Sequence, residues 1–208
     1  PYIRRGEDDA AADSATARTD RERYQTLFAS RSGAIAAPTA GLHFTSRVRG
    51  AMEARGIEFA EVTLHVGLGT FAKLDPLANP ETALHEEWYA VPAKAAAQWQ
   101  AARKEGRPVI AVGTTSVRAL ESWVLAGSSD SPTGVGHEGR SRLFIRPPYT
   151  FQAVDGLITN FHQPRSSLLM LVSALHSREH LLAAYEEAVR QGYRFFSYGD
   201  CMAILPDR

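Results

Sequence analysis

The stretch "RPVIAVGTTSVRALESWVLA", residues 107–126, constrains the fold more than any other. "RPVIAVG" is a short buried strand, and it feeds directly into the helix "TSVRALESWVLA". A strand that turns straight into a helix is the building unit of an α/β domain. The elements around it support that class. "DRERYQTLFA", residues 20–29, reads as a helix with Asp20 as its cap and Tyr24, Leu27 and Phe28 on one stripe. Residues 45–55 form a second helix closed by Gly56. In "IEFAEVTLHVG", residues 57–67, Val62, Leu64 and Val66 alternate with Thr63 and His65, the period of a strand. An alanine-rich helix, "AKAAAQWQAARKEG", ends at Gly106.

Further on, "RLFIRP" and "TFQAVDGLITNF" read as strands, "RSSLLMLVSALH" and "REHLLAAYEEAVRQG" as helices, and "YRFFSYG" as a last strand. This order mixes strand–helix alternation with neighbouring strands, so a mixed β-sheet covered by helices is expected, without a pure doubly wound pattern. Residues 127–141 are rich in Gly, Ser and Pro and read as a mobile loop. Residues 1–19 are small and charged and read as a flexible arm, which leaves 20–208 as one α/β domain. No internal repeat is visible.

Composition narrows the function classes. With 23 cations against 23 anions in 208 residues there is no global basic field, although 20 of the cations are arginine, the residue suited to forked contacts with phosphate or carboxylate. A single cysteine, Cys201, excludes an intramolecular disulfide framework and a multi-cysteine zinc site. Neither a signal segment nor an apolar run long enough to span a bilayer is evident, so a cytoplasmic protein with no membrane partner is expected.

Four segments at element ends combine small polar residues with proton-handling or anion-binding groups: "APTAGLHF", "TLHVGLGTF", "VGTTSVR" and "ITNFHQPRSS". "FSYGD" is a fifth. Ligands of α/β sheets collect where strands end, so one composite site is expected. The hydroxyls of Thr114, Thr115 and Ser116 and the free amides of the helix they open can hold a carboxylate or phosphate, although ordinary capping is the simpler account. Gly67 and Gly69, followed by Thr70, permit a close backbone approach to a flat ligand, but the spacing lacks the third glycine of a dinucleotide fingerprint. His43, His65 and His162 are each candidates for an acid or base, against the simpler account of satisfied structural histidines. Asp200 is a weaker candidate base.

One literal motif points elsewhere. "HSREH", from His176 to His180, fits an inverted zinc-protease pattern with Glu179 as base. The apolar stripe of Leu181, Leu182, Tyr185 and Val189 accounts for the segment as a packed amphipathic helix, and a zinc hydrolase stays a minor alternative. Cys201 has no evident base beside it, and a small buried thiol is its default.

Taken in order, "YQTLFA", "AAPTAGLHFT", "EVTLHVGLGTF", "LHEEWYAVP", "VIAVGTTSVRALES", "VDGLITNFHQPRSSLLMLVSAL", "REHLLAAYEEAV" and "YRFFSYGDCMAIL" resemble the S-adenosylmethionine:tRNA ribosyltransferase-isomerase family of queuosine synthesis, from about Asp20 to Leu205. The resemblance implies S-adenosylmethionine as a co-substrate, with no permanently bound cofactor or metal, and a tRNA partner bearing 7-aminomethyl-7-deazaguanine at the wobble position. The ribosyl group would pass to that base and rearrange to give epoxyqueuosine, releasing adenine and methionine. On this reading Thr39, Gly41, Gly67, Gly69, Thr70, Thr114, Thr115, Ser116, Arg118, Asn160, Ser166 and Tyr198 line the substrates. His43, His65, His162 or Asp200 supplies the base. Arg118 would pair with the methionine carboxylate or a tRNA phosphate, and its simpler role is a surface arginine near Glu121.

The family carries a longer N-terminal portion with an inserted β-barrel, so the chain is expected to be the C-terminal part of such an enzyme. Full-length members are expected to be monomers; if strands of the longer portion complete the sheet, this part leaves an edge or an apolar face uncovered and is expected to self-associate or lose stability. Pro148 and Gln163 depart from the family pattern. A fragment that keeps the fold and binds ligand or RNA without turnover is the second reading.

Overall fold

A computed structural model describes residues 23–67, 85–130 and 135–205. Among the described residues, six strands and five α-helices follow in order: α1 (Ser46–Glu53), β1 (Thr63–His65), β2 (Glu87–Val91), α2 (Ala93–Lys104), β3 (Ile110–Val112), α3 (Thr114–Leu125), β4 (His137–Ser141), β5 (Gly156–Asn160), α4 (Ser167–Leu175), α5 (Arg178–Arg190) and β6 (Cys201–Ile204). The expected α/β class holds, but the strands form two small sheets. One is antiparallel, in the order β1-β2-β4; the other runs β3-β5-β6, with β3 and β5 parallel and β5 and β6 antiparallel.

Helix α3 packs against strands of both sheets, and this explains its composition. Val117, Ala119 and Trp123 are fully buried, as an interior helix requires, and even its polar positions Arg118, Glu121 and Ser122 lie inside. The turn from β3 into α3 depends on Gly113, whose φ of 86° is open to glycine and costly for other residues. Its N–H continues the ladder to the Ile158 carbonyl at 2.8 Å. Strand β5 is buried along nearly its whole length, as a central strand should be. In the antiparallel sheet the Tyr89 ring lies over Gly139, its cross-strand partner. A Cβ at Gly139 would sit 2.8 Å from the Tyr89 phenol oxygen.

Several boundaries differ from the sequence reading, each for a local reason. Residues 24–29 are not helical: the Thr26 hydroxyl accepts the Phe28 N–H at 3.2 Å, an alternative that short hydroxyl side chains offer the backbone. Strand β1 covers three residues rather than the whole of 57–67. The interval 127–141, read as a loop, contains β4, whose sequence "HEGRS" has no apolar alternation and joins the sheet through its backbone. Residues 142–147 are irregular. Residues 150–155 are not strand because the N–H groups of Gln152, Ala153 and Val154 turn to the Glu121 carboxylate instead of a ladder. Finally, 193–199 is a loop, and the last strand starts at Cys201: Phe196 has a φ of 70°, which no strand accommodates. The arm at 1–19 lies outside the described residues.

Candidate active site

Asn160, at the end of β5, ties three segments together. It is 3% exposed. Its side-chain oxygen accepts a hydrogen bond from the Thr39 hydroxyl at 2.9 Å. Its amide nitrogen faces the carbonyls of Gly199 and Asp200 at 3.5 Å each and the His43 Nε2 at 3.4 Å. Two carbonyls on one side and a hydroxyl on the other fix which end of the amide is nitrogen. An amide nitrogen donating to Nε2 makes that atom the acceptor and puts the ring proton on Nδ1.

Thr39 and His43 belong to a single 3-10 turn, Thr39–His43, opened by the Gly41 N–H bonding the Pro38 carbonyl at 2.7 Å. Gly41 is needed for closeness: a Cβ there would come within 3.2 Å of the Thr26 and Phe28 side chains. The turn sits against the start of α3, since a Cβ on Gly113 would lie 3.3 Å from the Thr115 hydroxyl and 3.9 Å from Ala40. Helix α3 begins without a side-chain cap, and the Ser116 hydroxyl turns back to the Val112 carbonyl at 2.8 Å. The start of α3 thus lies against the turn that carries His43.

Asp200 lies beside them. The Arg194 backbone N–H, at 2.7 Å, holds its carboxyl below the ordinary carboxylate range, and the Arg194 guanidinium and the His43 ring add to the effect. His162 is two residues beyond Asn160. Burial pushes its ring down to about 4, its Nε2 is 2.8 Å from the Thr159 hydroxyl, and its backbone N–H donates to the Tyr185 hydroxyl at 2.7 Å. Tyr198 stands at the rim, 39% exposed, edge-on to Tyr24 at 5.5 Å.

Other expected site residues fall elsewhere. His65 is in the antiparallel sheet, its ring packed between Trp88 at 4.6 Å and the backbone of Gly33. Ser166 caps α4 by accepting the Leu169 N–H, and Gly67 donates to Glu87 Oε1 at 3.2 Å. Gly69 and Thr70 lie outside the described residues. Arg118 is neither at the surface nor paired with Glu121. Only 4% exposed, it binds Glu87 through Nη1 and the Leu143 carbonyl through Nε at 3.3 Å. Burial lowers its pKa despite the Glu87 carboxylate. Glu121, fully buried, accepts from Tyr149 at 3.0 Å and from three backbone amides. The sequence reading assigned no role to Glu87, and its only cue was a charged pair entering an aromatic strand in "HEEWYAV".

The "HSREH" segment does not form one helical turn. His176 is extended, ahead of α5, and its ring stacks on His180 at 5.0 Å, while His180 Nδ1 pairs with the capping Ser177. Among the described residues no three His, Cys, Asp or Glu side chains converge on a metal position, and no helix is long and apolar enough to cross a membrane.

The family described as queuosine biosynthesis protein matches residues 1–204. A protein of Gloeobacter violaceus named S-adenosylmethionine:tRNA ribosyltransferase-isomerase is 56% identical over 191 residues, which make up 92% of this chain and 53% of that protein. Its namesake in Syntrophotalea carbinolica is 50% identical over 205 residues, 99% of this chain and 56% of that one. The crystal structure of an S-adenosylmethionine tRNA ribosyltransferase from Thermotoga maritima aligns with a TM-score of 0.65 at 42% identity, covering 80% of this chain and 51% of the other. The chain thus spans about half the length of the curated relatives it matches. On a match across nearly its whole length, the chain belongs to the queuosine biosynthesis protein family.

Proposed function

We propose that this chain carries part or all of the active site of an S-adenosylmethionine:tRNA ribosyltransferase-isomerase, acting in the cytoplasm on a tRNA whose wobble base is 7-aminomethyl-7-deazaguanine. S-adenosylmethionine enters as a co-substrate, its ribosyl group passes to the base as an epoxy-cyclopentanediol, and adenine and methionine leave. The single observation that carries this reading is the convergence of Thr39, His43 and Asp200 on Asn160, in a chain whose relatives bear that name.

The chemistry requires a base for a proton next to the sulfonium, and His43 suits it best of the three histidines. Its Nε2 is placed as an acceptor by Asn160, whose amide also meets the Asp200 backbone carbonyl. His162, neutral with a pKa of about 4, is too weak a base near neutral pH, and His65 belongs to the other sheet. Thr39 and Asn160 hold the turn that carries His43. The uncapped first turn of α3, at Thr114 and Thr115, suits the methionine carboxylate or a phosphate. Arg118 is already committed to Glu87, so the amides are better placed for that task.

Release of adenine by the purified chain, with and without the modified tRNA, tests the reading. We expect release that depends on the tRNA and falls about 10²- to 10⁴-fold in His43→Ala. A folded chain that binds S-adenosylmethionine without turnover supports the second reading, favoured by the half-length match to the relatives, in which further groups come from the rest of the enzyme. Full activity in His43→Ala refutes its role as base.

A further inference from the structure

The loop between α5 and β6 holds aromatic rings at the surface beside the Asn160 site. Its anchor is Phe161, next to Asn160 and 4% exposed. The Phe161 ring lies 5.1 Å from Tyr185, 6.1 Å from Tyr193 and 4.8 Å from Phe195, and Phe195 is 6.3 Å from Phe196. The outer members of this group reach the surface: Tyr193 is 50% exposed and Phe196 36%. Phe196 adopts left-handed backbone, an unfavourable state for a bulky residue. It is kept there by its N–H to the Phe161 carbonyl and by the Gly199 N–H to its own carbonyl, both 3.0 Å. Gly199 lies so tightly against the backbone of Arg194 and Phe195 that a side chain has no room. Arg194 adds a guanidinium that is 78% exposed.

Rings held rigid from behind, with a cation beside them, offer stacking surface at small entropic cost. We propose that Tyr193 and Phe196, backed by Phe161 and flanked by Arg194, form a stacking surface for an unpaired base of single-stranded RNA, next to the Asn160 site. The identity of the RNA as a tRNA loop rests on the ribosyltransferase reading; the stacking chemistry does not. A nucleoside-sized ligand is held in a cleft that buries most of its surface, whereas half-exposed rings suit a partner that brings its own bulk. Because the net charge is zero, binding should lean on stacking more than on phosphate contacts, and its salt dependence should be shallow.

The test uses an RNA hairpin with 2-aminopurine in its loop, titrated with this chain, and calorimetry with S-adenosylmethionine alongside. Phe196→Asn removes the ring while suiting the left-handed backbone, so its thermal midpoint should hold while hairpin affinity falls about ten-fold or more and the fluorescence quench is lost. Tyr193→Ala should weaken binding similarly, and Phe196→Trp should retain it. Unchanged hairpin affinity in Phe196→Asn, equal competition by fully paired RNA, or no hairpin binding by the unaltered chain overturns the proposal. So does a loss confined to S-adenosylmethionine affinity, which assigns the rings to the co-substrate, or insensitivity to a single-stranded competitor, which assigns the surface to protein contact. Should a folded chain neither release adenine nor bind S-adenosylmethionine while Phe196-dependent hairpin binding persists, the ribosyltransferase reading falls and the stacking surface stands.

Discussion

The interior along α3 and the end of β5 both bury polar side chains, and they do it in opposite ways. Inside, along α3, Arg118 and Glu87 bind each other and Glu121 takes three backbone amides and a phenol. At the end of β5, Asn160 meets His43, Gly199 and Asp200 only at 3.4–3.5 Å, and its one short bond is to Thr39. Charges that are paired inside the protein build a scaffold, even though the Arg118 Nη2 is left without a hydrogen-bond partner among the described residues, whereas neutral groups held loosely at a strand end stay available to a substrate. Burial alone therefore does not mark the site, and Arg118 illustrates the point.

The sharpest way to break this contrast is to open the interior pair. Arg118→Met or Glu87→Leu alone leaves a buried charge without its counterpart and should cost about 3–5 kcal/mol, read from the urea midpoint. The double variant should recover much of that loss. If either single change instead costs nothing in stability and abolishes S-adenosylmethionine binding, Arg118 belongs to the site after all. Next in size is Asn160→Ala, which should lose about 1–3 kcal/mol of stability and about 10²-fold in adenine release through misplacement of His43. A drop in release no larger than the unfolded fraction would make Asn160 one more scaffold residue.

The last test concerns pH. The folded-state pKa of His162 is lowered from 6.5 to about 4, so the unfolded chain takes up a proton first as pH falls. Its contribution to stability is fully present above pH 6.5 and is lost as pH drops toward about 4. His162→Gln should flatten that slope in unfolding curves measured across this window. An unchanged slope would show that the ring is protonated at no cost.

How much of this was legible in the sequence depended on where each signal lives. The β3–α3 unit was readable because strand, glycine and helix are consecutive and local, and α1, α2, α4 and α5 were readable from their spacing and caps. Strand β4 was not, since a polar "HEGRS" joins its sheet through backbone pairing with a partner some fifty residues earlier. The stretch 193–199 has the aromatic composition of a strand, but Asp200 bonding back to Arg194 closes it into a loop. Within the site, Thr39, His43, Asn160 and Asp200 were all named, yet which histidine joined Asn160 depended on a contact spanning 117 positions. Buried Glu87 gave hardly any cue, because a carboxylate reads as surface until its arginine is seen.

Gly139 has a consequence for assembly of the antiparallel sheet. A slip of β4 along β2 by one residue would set Glu138 or Arg140 against Tyr89, and a slip by two would set His137 or Ser141 there. Each carries a Cβ where the phenol already lies, and the phenol is held by the buried Ser122 carbonyl at 3.4 Å. Four of the five positions in the strand are thus rejected, and the one that fits does so by lacking an atom. In a segment with no apolar pattern to guide pairing, this gap works as the notch of a key, selecting one alignment from several that the backbone alone would accept equally well.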